Sequence, residues 1–89
     1  MMKYIRTERV DGRHEIFVFP KSVDHDVMME GLSRLKDKTD GNWERIHRTA
    51  VTAGFVHSSG ECYGKSYTLN IESSPKEDTA LLKQQQEQS

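Results

Sequence analysis

Cysteine, proline and long apolar runs are all scarce in this chain of 89 residues. The single cysteine, Cys62, excludes an intramolecular disulfide framework and fits a reducing compartment. No apolar stretch approaches the roughly 20 residues that a membrane-crossing helix needs. The start "MMKYIRTERV" lacks the apolar segment of a signal peptide. A cytoplasmic protein without a membrane partner is therefore expected. The two prolines, Pro20 and Pro75, fall where elements end or begin. Excess charge of either sign is missing too: the formal charge is -1 and the pI about 6.4. That argues against nucleic-acid binding driven by net charge, while leaving room for a local basic strip.

What is present is a hydrophilic chain, 34% hydrophobic and 30% charged, with a mean hydropathy of -0.81. One domain over 1–89 is expected, with a core at 1–73 and a C-terminal helix or arm at 74–89. A domain this small buries a modest share of its surface, so a homo-oligomer is expected. "KYIRTERVDGRHEIFVF" reads as two strands joined at Asp11-Gly12, a favoured two-residue hairpin turn. Ile16 and Val18 share one face of the second strand; Glu15, Phe17 and Phe19 share the other. Apolar groups on both sides predict a strand that is central or covered twice. Pro20 ends it.

"SVDHDVMMEGLSRLKDKTDGN" carries the clearest helix, over Val23–Lys36. Val27, Met28, Gly31, Leu32 and Leu35 recur at helical spacing as its core stripe, with Met29 left exposed. Ser22 or Asp24 would cap it, and Asp24 and Asp26 suit the positive end of its dipole. Three strands are expected next: about Trp43–Arg48, Val51–His57 and Lys65–Ile71. A phase slip in "TAVTAG" predicts a bulge. In the last strand Tyr67, Leu69 and Ile71 would face the core. Ser74, Pro75 and Glu77 form a capping-box signature for a final helix with a fraying glutamine-rich end. The fold class expected is α+β: an antiparallel sheet of about five strands in ββαβββα order. One face would carry the main helix, and the short C-terminal helix would pack at an edge or reach a neighbouring protomer.

"GECYGKS" at residues 60–66 falls one residue short of a phosphate loop, G-x-x-x-x-G-K-S/T. Ser59 stands at the first glycine position, and a strand rather than a helix follows, so it is not a nucleoside-triphosphate loop. Two readings remain open. One is a hairpin turn in which Gly60 and Gly64 take conformations other residues dislike. The other is an anion-binding turn, with backbone amides, Lys65, Ser66 and Tyr63 around a phosphorylated ligand.

"NWERIHR" places Trp43, Arg45 and His47 on one strand face beside Arg48. It reads either as a solvated cationic strand with a core tryptophan or as a stacking and phosphate-gripping surface. His14, His25, His47 and His57 lie on separate elements without metal-site spacing, so no metal is expected. "DHD" at 24–26 is best explained by capping and the helix dipole. Cys62 reads as a packed thiol, and no G-x-S-x-G elbow appears. No catalytic residue set emerges, and no cofactor is expected.

Together, "EIFVFPK", "GNWERI", "AGFV", "GECYGKSYTL" and "DTALLKQQ" resemble a family of short phage and prophage accessory proteins of unknown function. The resemblance implies no activity or site residues. It does imply a setting, the cytoplasm of a host bacterial cell, where such proteins act on defence or regulation. Two non-catalytic mechanisms follow. The first is binding of an anionic, nucleotide-like small molecule, sequestering an immune signal, by Trp43, Arg45, Arg48, Tyr63, Gly64, Lys65 and Ser66. The second is a protein-binding inhibitor of a host defence protein or transcription component, such as an anti-CRISPR, using a sheet edge, Met29 and the C-terminal tail.

Overall fold

The computed structural model describes residues 1–39 and 42–87, with side chains throughout except at 37–39 and 42–44. In chain order the elements are β1 (Met2–Arg9), β2 (His14–Pro20), α1 (His25–Ser33), β3 (Lys36–Thr39) and β4 (Asn42–Arg45). There follow β5 (Arg48–Val56), β6 (Cys62–Tyr63), β7 (Lys65–Ser66), β8 (Ile71–Glu72) and α2 (Pro75–Glu87). The architecture is α+β. Its main sheet is antiparallel and holds four strands, in the order β2-β1-β5-β6.

The expected sheet of about five strands is corrected at two places. Most of the segment expected as a strand over about Trp43–Arg48 does not join the main sheet: β4 pairs with β3 as a separate ribbon, and Arg48 enters the main sheet as the first residue of β5. β3 uses residues expected at the helix end, because α1 stops at Ser33 with Arg34 N donating to Gly31 O and Leu35 N to Leu32 O. Such tight bonds close a last helical turn and redirect the chain. The expected strand over Lys65–Ile71 is interrupted as well. Only β7 and β8 are extended, and Ser66 Oγ accepts Leu69 N at 3.1 Å while Asn70 takes φ 55°. A hydroxyl capturing the backbone in this way competes with the strand ladder and makes a turn.

The β1–β2 hairpin forms where expected, with one more loop residue. Arg9 N donates to Arg13 O at 2.8 Å and Gly12 N to Arg9 O at 2.9 Å, so Val10, Asp11 and Gly12 make a three-residue connection. Gly12 adopts φ 88°, the left-handed closing position such loops require. The predicted irregularity in "TAVTAG" is a bulge at Val51: Arg6 pairs with Thr52 and Thr7 with Ala50, leaving Val51 without a partner across the ladder.

β1 carries core residues on both faces, and a helix covers each. Tyr4, Ile16, Val56, Cys62 and Leu82 of α2 form one cluster. Ile5, Phe19 and Ala53 form the other, against which Val23, Met28, Met29, Leu69 and Ile71 pack. α2 therefore docks on its own sheet, opposite α1, rather than only at an edge or on a neighbour. The inward positions of α1 are His25, Met28, Met29 and Leu32, while Val27 and Leu35 are exposed. The helical period was right and its phase was one residue off, because His25 is buried. Met29 is consequently packed, not exposed.

Asp78 anchors α2. Fully buried, it accepts from Ser74 N at 2.9 Å, Arg6 Nη1 at 3.0 Å and the Tyr4 hydroxyl. The expected capping role of Glu77 thus falls to Asp78, one residue later, because that position faces the sheet. Burial and the Asp78 carboxylate push the Tyr4 phenol up from its ordinary value, keeping it a neutral donor. No helix among the described residues is long and apolar enough to cross a membrane.

Candidate functional site

The "GECYGKS" stretch resolves into three local structures. Gly60 closes the β5–β6 hairpin: His57 N donates to Glu61 O at 2.9 Å, Gly60 N to His57 O at 2.8 Å, and Gly60 takes φ 91°. Its amide is already bonded, so this part is a turn and not an anion nest. Gly64, at φ 83°, bends the chain from β6 into β7 and gives its carbonyl to Ser73 N and Ser73 Oγ. Lys65 and Ser66 form β7 opposite Glu72 and Ile71.

The sequence-predicted site residues separate into two groups. Tyr63, Gly64, Lys65 and Ser66 lie beside Phe55, at one end of β5. Arg48 opens the other end of β5, seven positions before Phe55, or about 23 Å at the rise of a strand, and Arg45 ends the preceding β4. Within one chain the two groups do not share a pocket. The side chain of Trp43 lies outside the described residues. Arg45 is exposed and borders a shallow cleft of 320 Å³ with Arg9, Val10, Asp11, Ile46 and His47.

Three expected ligand contacts are already engaged inside the protein. The Arg48 side chain is only 3% exposed, reaching Glu15 Oε1 at 3.4 Å and Leu32 O at 3.5 Å, with its guanidinium 5.5 Å from the Phe17 ring centroid. Tyr63 stacks on His57 at 4.1 Å and tilts against Phe55 at 5.8 Å. Ser66 is fully buried, its hydroxyl taken by the turn. These residues build the structure because the chain folds them inward at strand ends, where neighbouring strands supply partners. Of the predicted set near "GECYGKS", Lys65 is the side chain that borders a cavity.

That cavity, of 180 Å³, is lined by Lys3, Asp24, His25, Phe55, Lys65, Tyr67 and Thr68. Each wall comes from a different element. Lys3 projects from β1, donating to Val23 O at 3.0 Å and standing 3.7 Å from Asp24 Oδ1. Phe55 comes from β5. Lys65 holds its ammonium 4.8 Å from the Tyr67 ring centroid, within cation–π range. Tyr67 is 81% exposed, so the face of its ring is open to other molecules. Thr68 Oγ1 accepts Asp26 N at 3.2 Å, closing the start of α1.

His25 forms the floor. Its Nε2–H donates to Gly54 O at 2.9 Å, and its ring meets Phe19 and Phe55 edge-on. Burial lowers its pKa from the ordinary histidine value, more than the Gly54 carbonyl raises it, so the ring is neutral at pH 7. The capping explanation of "DHD" needs correction here: Asp24 makes no side-chain cap bond, and the central histidine is a core residue. Burial raises the Cys62 thiol, and the group is inaccessible, which removes it as a nucleophile. Among the described residues, no three His, Cys, Asp or Glu side chains converge as a metal site would require.

Lys3, His25, Phe55, Tyr67 and Thr68 were absent from the sequence-derived site. Tyr67 and Thr68 adjoin "GKS", but strand alternation had assigned Tyr67 to the core. Lys3 reaches the cavity from the far end of the sequence, and nothing local to it signals that. No protein-family model, curated protein or solved structure matches this chain.

Proposed function

We propose that this protein is a non-catalytic binder of a small anionic, nucleotide-like molecule, held by Lys65 and Tyr67 at the mouth of the cleft that Lys3 helps to line. The observation that carries the proposal is the pairing of the Lys65 ammonium with an exposed Tyr67 ring at the mouth of a cavity. A cation beside an open aromatic face offers a phosphate partner and a stacking platform at once. At 180 Å³ the cavity lies below the roughly 300–1,000 Å³ typical of sites that enclose a drug-sized ligand. It takes one end of the ligand, a phosphate or a single ring, and the remainder lies over Tyr67. In the phage setting that the sequence signature resembles, such a binder would sequester a nucleotide-derived host signal.

Thermal shift against mononucleotides, ADP-ribose derivatives and cyclic dinucleotides tests this reading. A ligand at about 100 times its Kd stabilises the fold by roughly 2.7 kcal/mol, raising Tm by about 10–20 °C in a domain of this size. Lys65→Ala with Tyr67→Ala should remove the shift and leave the ligand-free Tm close to wild type, because Tyr67 is exposed and Lys65 is half-buried. A flat response across the panel overturns the reading. A single host protein recovered in stoichiometric amount would then favour the inhibitor mechanism.

A further inference from the structure

Among the described residues, β2 is an edge of the main sheet, with β1 as its one ladder neighbour. Edge strands leave backbone N–H and C=O groups turned outward, a template on which a further strand can add. Within β2, Ile16 stands opposite Arg6. Its outward pair is taken by one side chain from α2: Ile16 N donates to Gln85 Oε1 at 2.9 Å, and Gln85 Nε2 donates to Ile16 O at 2.8 Å. A primary amide presents a donor and an acceptor in one plane. Gln85 therefore makes the same pair of bonds that an incoming antiparallel strand would make.

Because outward pairs alternate along an antiparallel strand, those of His14 and Val18 flank Ile16 on this edge. Val18 is 40% exposed, and "HEIFVF" is rich in β-branched and aromatic residues without glycine. Pro20, which has no N–H, blunts one end of the edge. Gln85 holds the middle. An antiparallel pair of β2 strands from two copies, centred on Ile16, is self-complementary about a two-fold axis, and it needs the two bonds that Gln85 occupies.

We propose that Gln85 is an edge guard: it fills the central outward bonding pair of β2 and keeps β2 of a second copy of this chain from extending the sheet. The device depends on α2 staying docked, which Leu82 and Asp78 secure. It is independent of the Lys65–Tyr67 cleft, which lies on the α1 face.

The test compares wild type with Gln85→Met, which keeps side-chain length and helix propensity but removes the amide. Mass is measured by light scattering across a concentration series, and amide exchange is followed by NMR. In the wild type, the Ile16 amide should be protected despite its edge position. In Gln85→Met it should exchange about tenfold faster at the dilute, monomeric end of the series, and mass should climb with concentration above the wild-type value. Adding Val18→Lys, a charge on the same edge, should restore the wild-type mass. Gln84→Ala, one residue away and without these bonds, should change neither readout. A folded Gln85→Met protein with wild-type mass at every concentration overturns the proposal. So does an Ile16 amide that exchanges freely in the wild type.

Discussion

Replacing Asp78 by Asn tests the packing that sets α2 on the sheet. The substitution preserves shape and removes the charge that three donors address: Ser74 N, Arg6 Nη1 and the Tyr4 hydroxyl. Separating a buried ion pair costs about 3–5 kcal/mol. Arg6 is 16% exposed and keeps Glu77 at 3.8 Å, so the lower end applies, about 3 kcal/mol. At 0.05–0.15 kcal/mol per residue, a domain of 89 residues holds about 4–13 kcal/mol in total, so a large fraction is at stake. With about 4–8 °C of Tm per kcal/mol at this size, Asp78→Asn should melt about 12–24 °C below wild type. Thermal unfolding followed by circular dichroism reads this directly. Glu77→Gln is the matched control: its side chain is 76% exposed, and Tm should stay within about 3 °C of wild type. An Asp78→Asn protein that melts within about 5 °C of wild type would refute the reasoning.

The two arginines of the predicted site should behave differently. Arg48→Ala should lower stability by about 3 kcal/mol in urea unfolding, because Glu15 loses a buried partner and Phe17 a packed guanidinium. Arg45→Ala should stay within about 0.5 kcal/mol of wild type, as exposed sites do; the reverse ranking would contradict their placement. His25 makes stability depend on pH. Its folded pKa lies below the unfolded value of about 6.5, so the unfolded chain takes up the proton first as pH falls. The contribution of His25 is full above about pH 6.5 and is lost progressively below it, towards the folded pKa. His25→Asn should lower Tm at about pH 7.5 and weaken the further fall seen between about pH 7.5 and about pH 5.5. An unchanged pH slope would mean that the ring is not buried in its neutral form.

Local chemistry made part of this fold legible and hid the rest. Asp11-Gly12 announced the first hairpin, and the slip in "TAVTAG" announced the bulge at Val51, because turn residues and strand period act over a few positions. α1 was legible from its period. Its phase was lost because His25 looks polar but is buried neutral against Gly54 O and two phenylalanines. The interruption at Tyr67–Asn70 was hidden because "KSYTLNI" alternates like a strand, while the Ser66 hydroxyl diverts the backbone. Asp78 and Gln85 were hidden for another reason. Their partners, Tyr4, Arg6 and Ile16, lie 69 or more residues earlier, and no spacing rule spans that distance. The candidate site follows the same division. Lys65, which lines the cavity, was singled out from its own neighbourhood, whereas Lys3 and Phe55 join it only through the folded sheet.

The ligand cleft is tested most directly by mapping amide chemical shifts while AMP, ADP-ribose and a cyclic dinucleotide are titrated in turn. Saturable shifts with at least one of them should centre on Lys3, Phe55, Lys65, Tyr67 and Thr68, and should vanish in the Lys65→Ala/Tyr67→Ala protein. Shifts centred instead on Arg45 to Arg48, or no saturable shift with any of the three, would contradict the account.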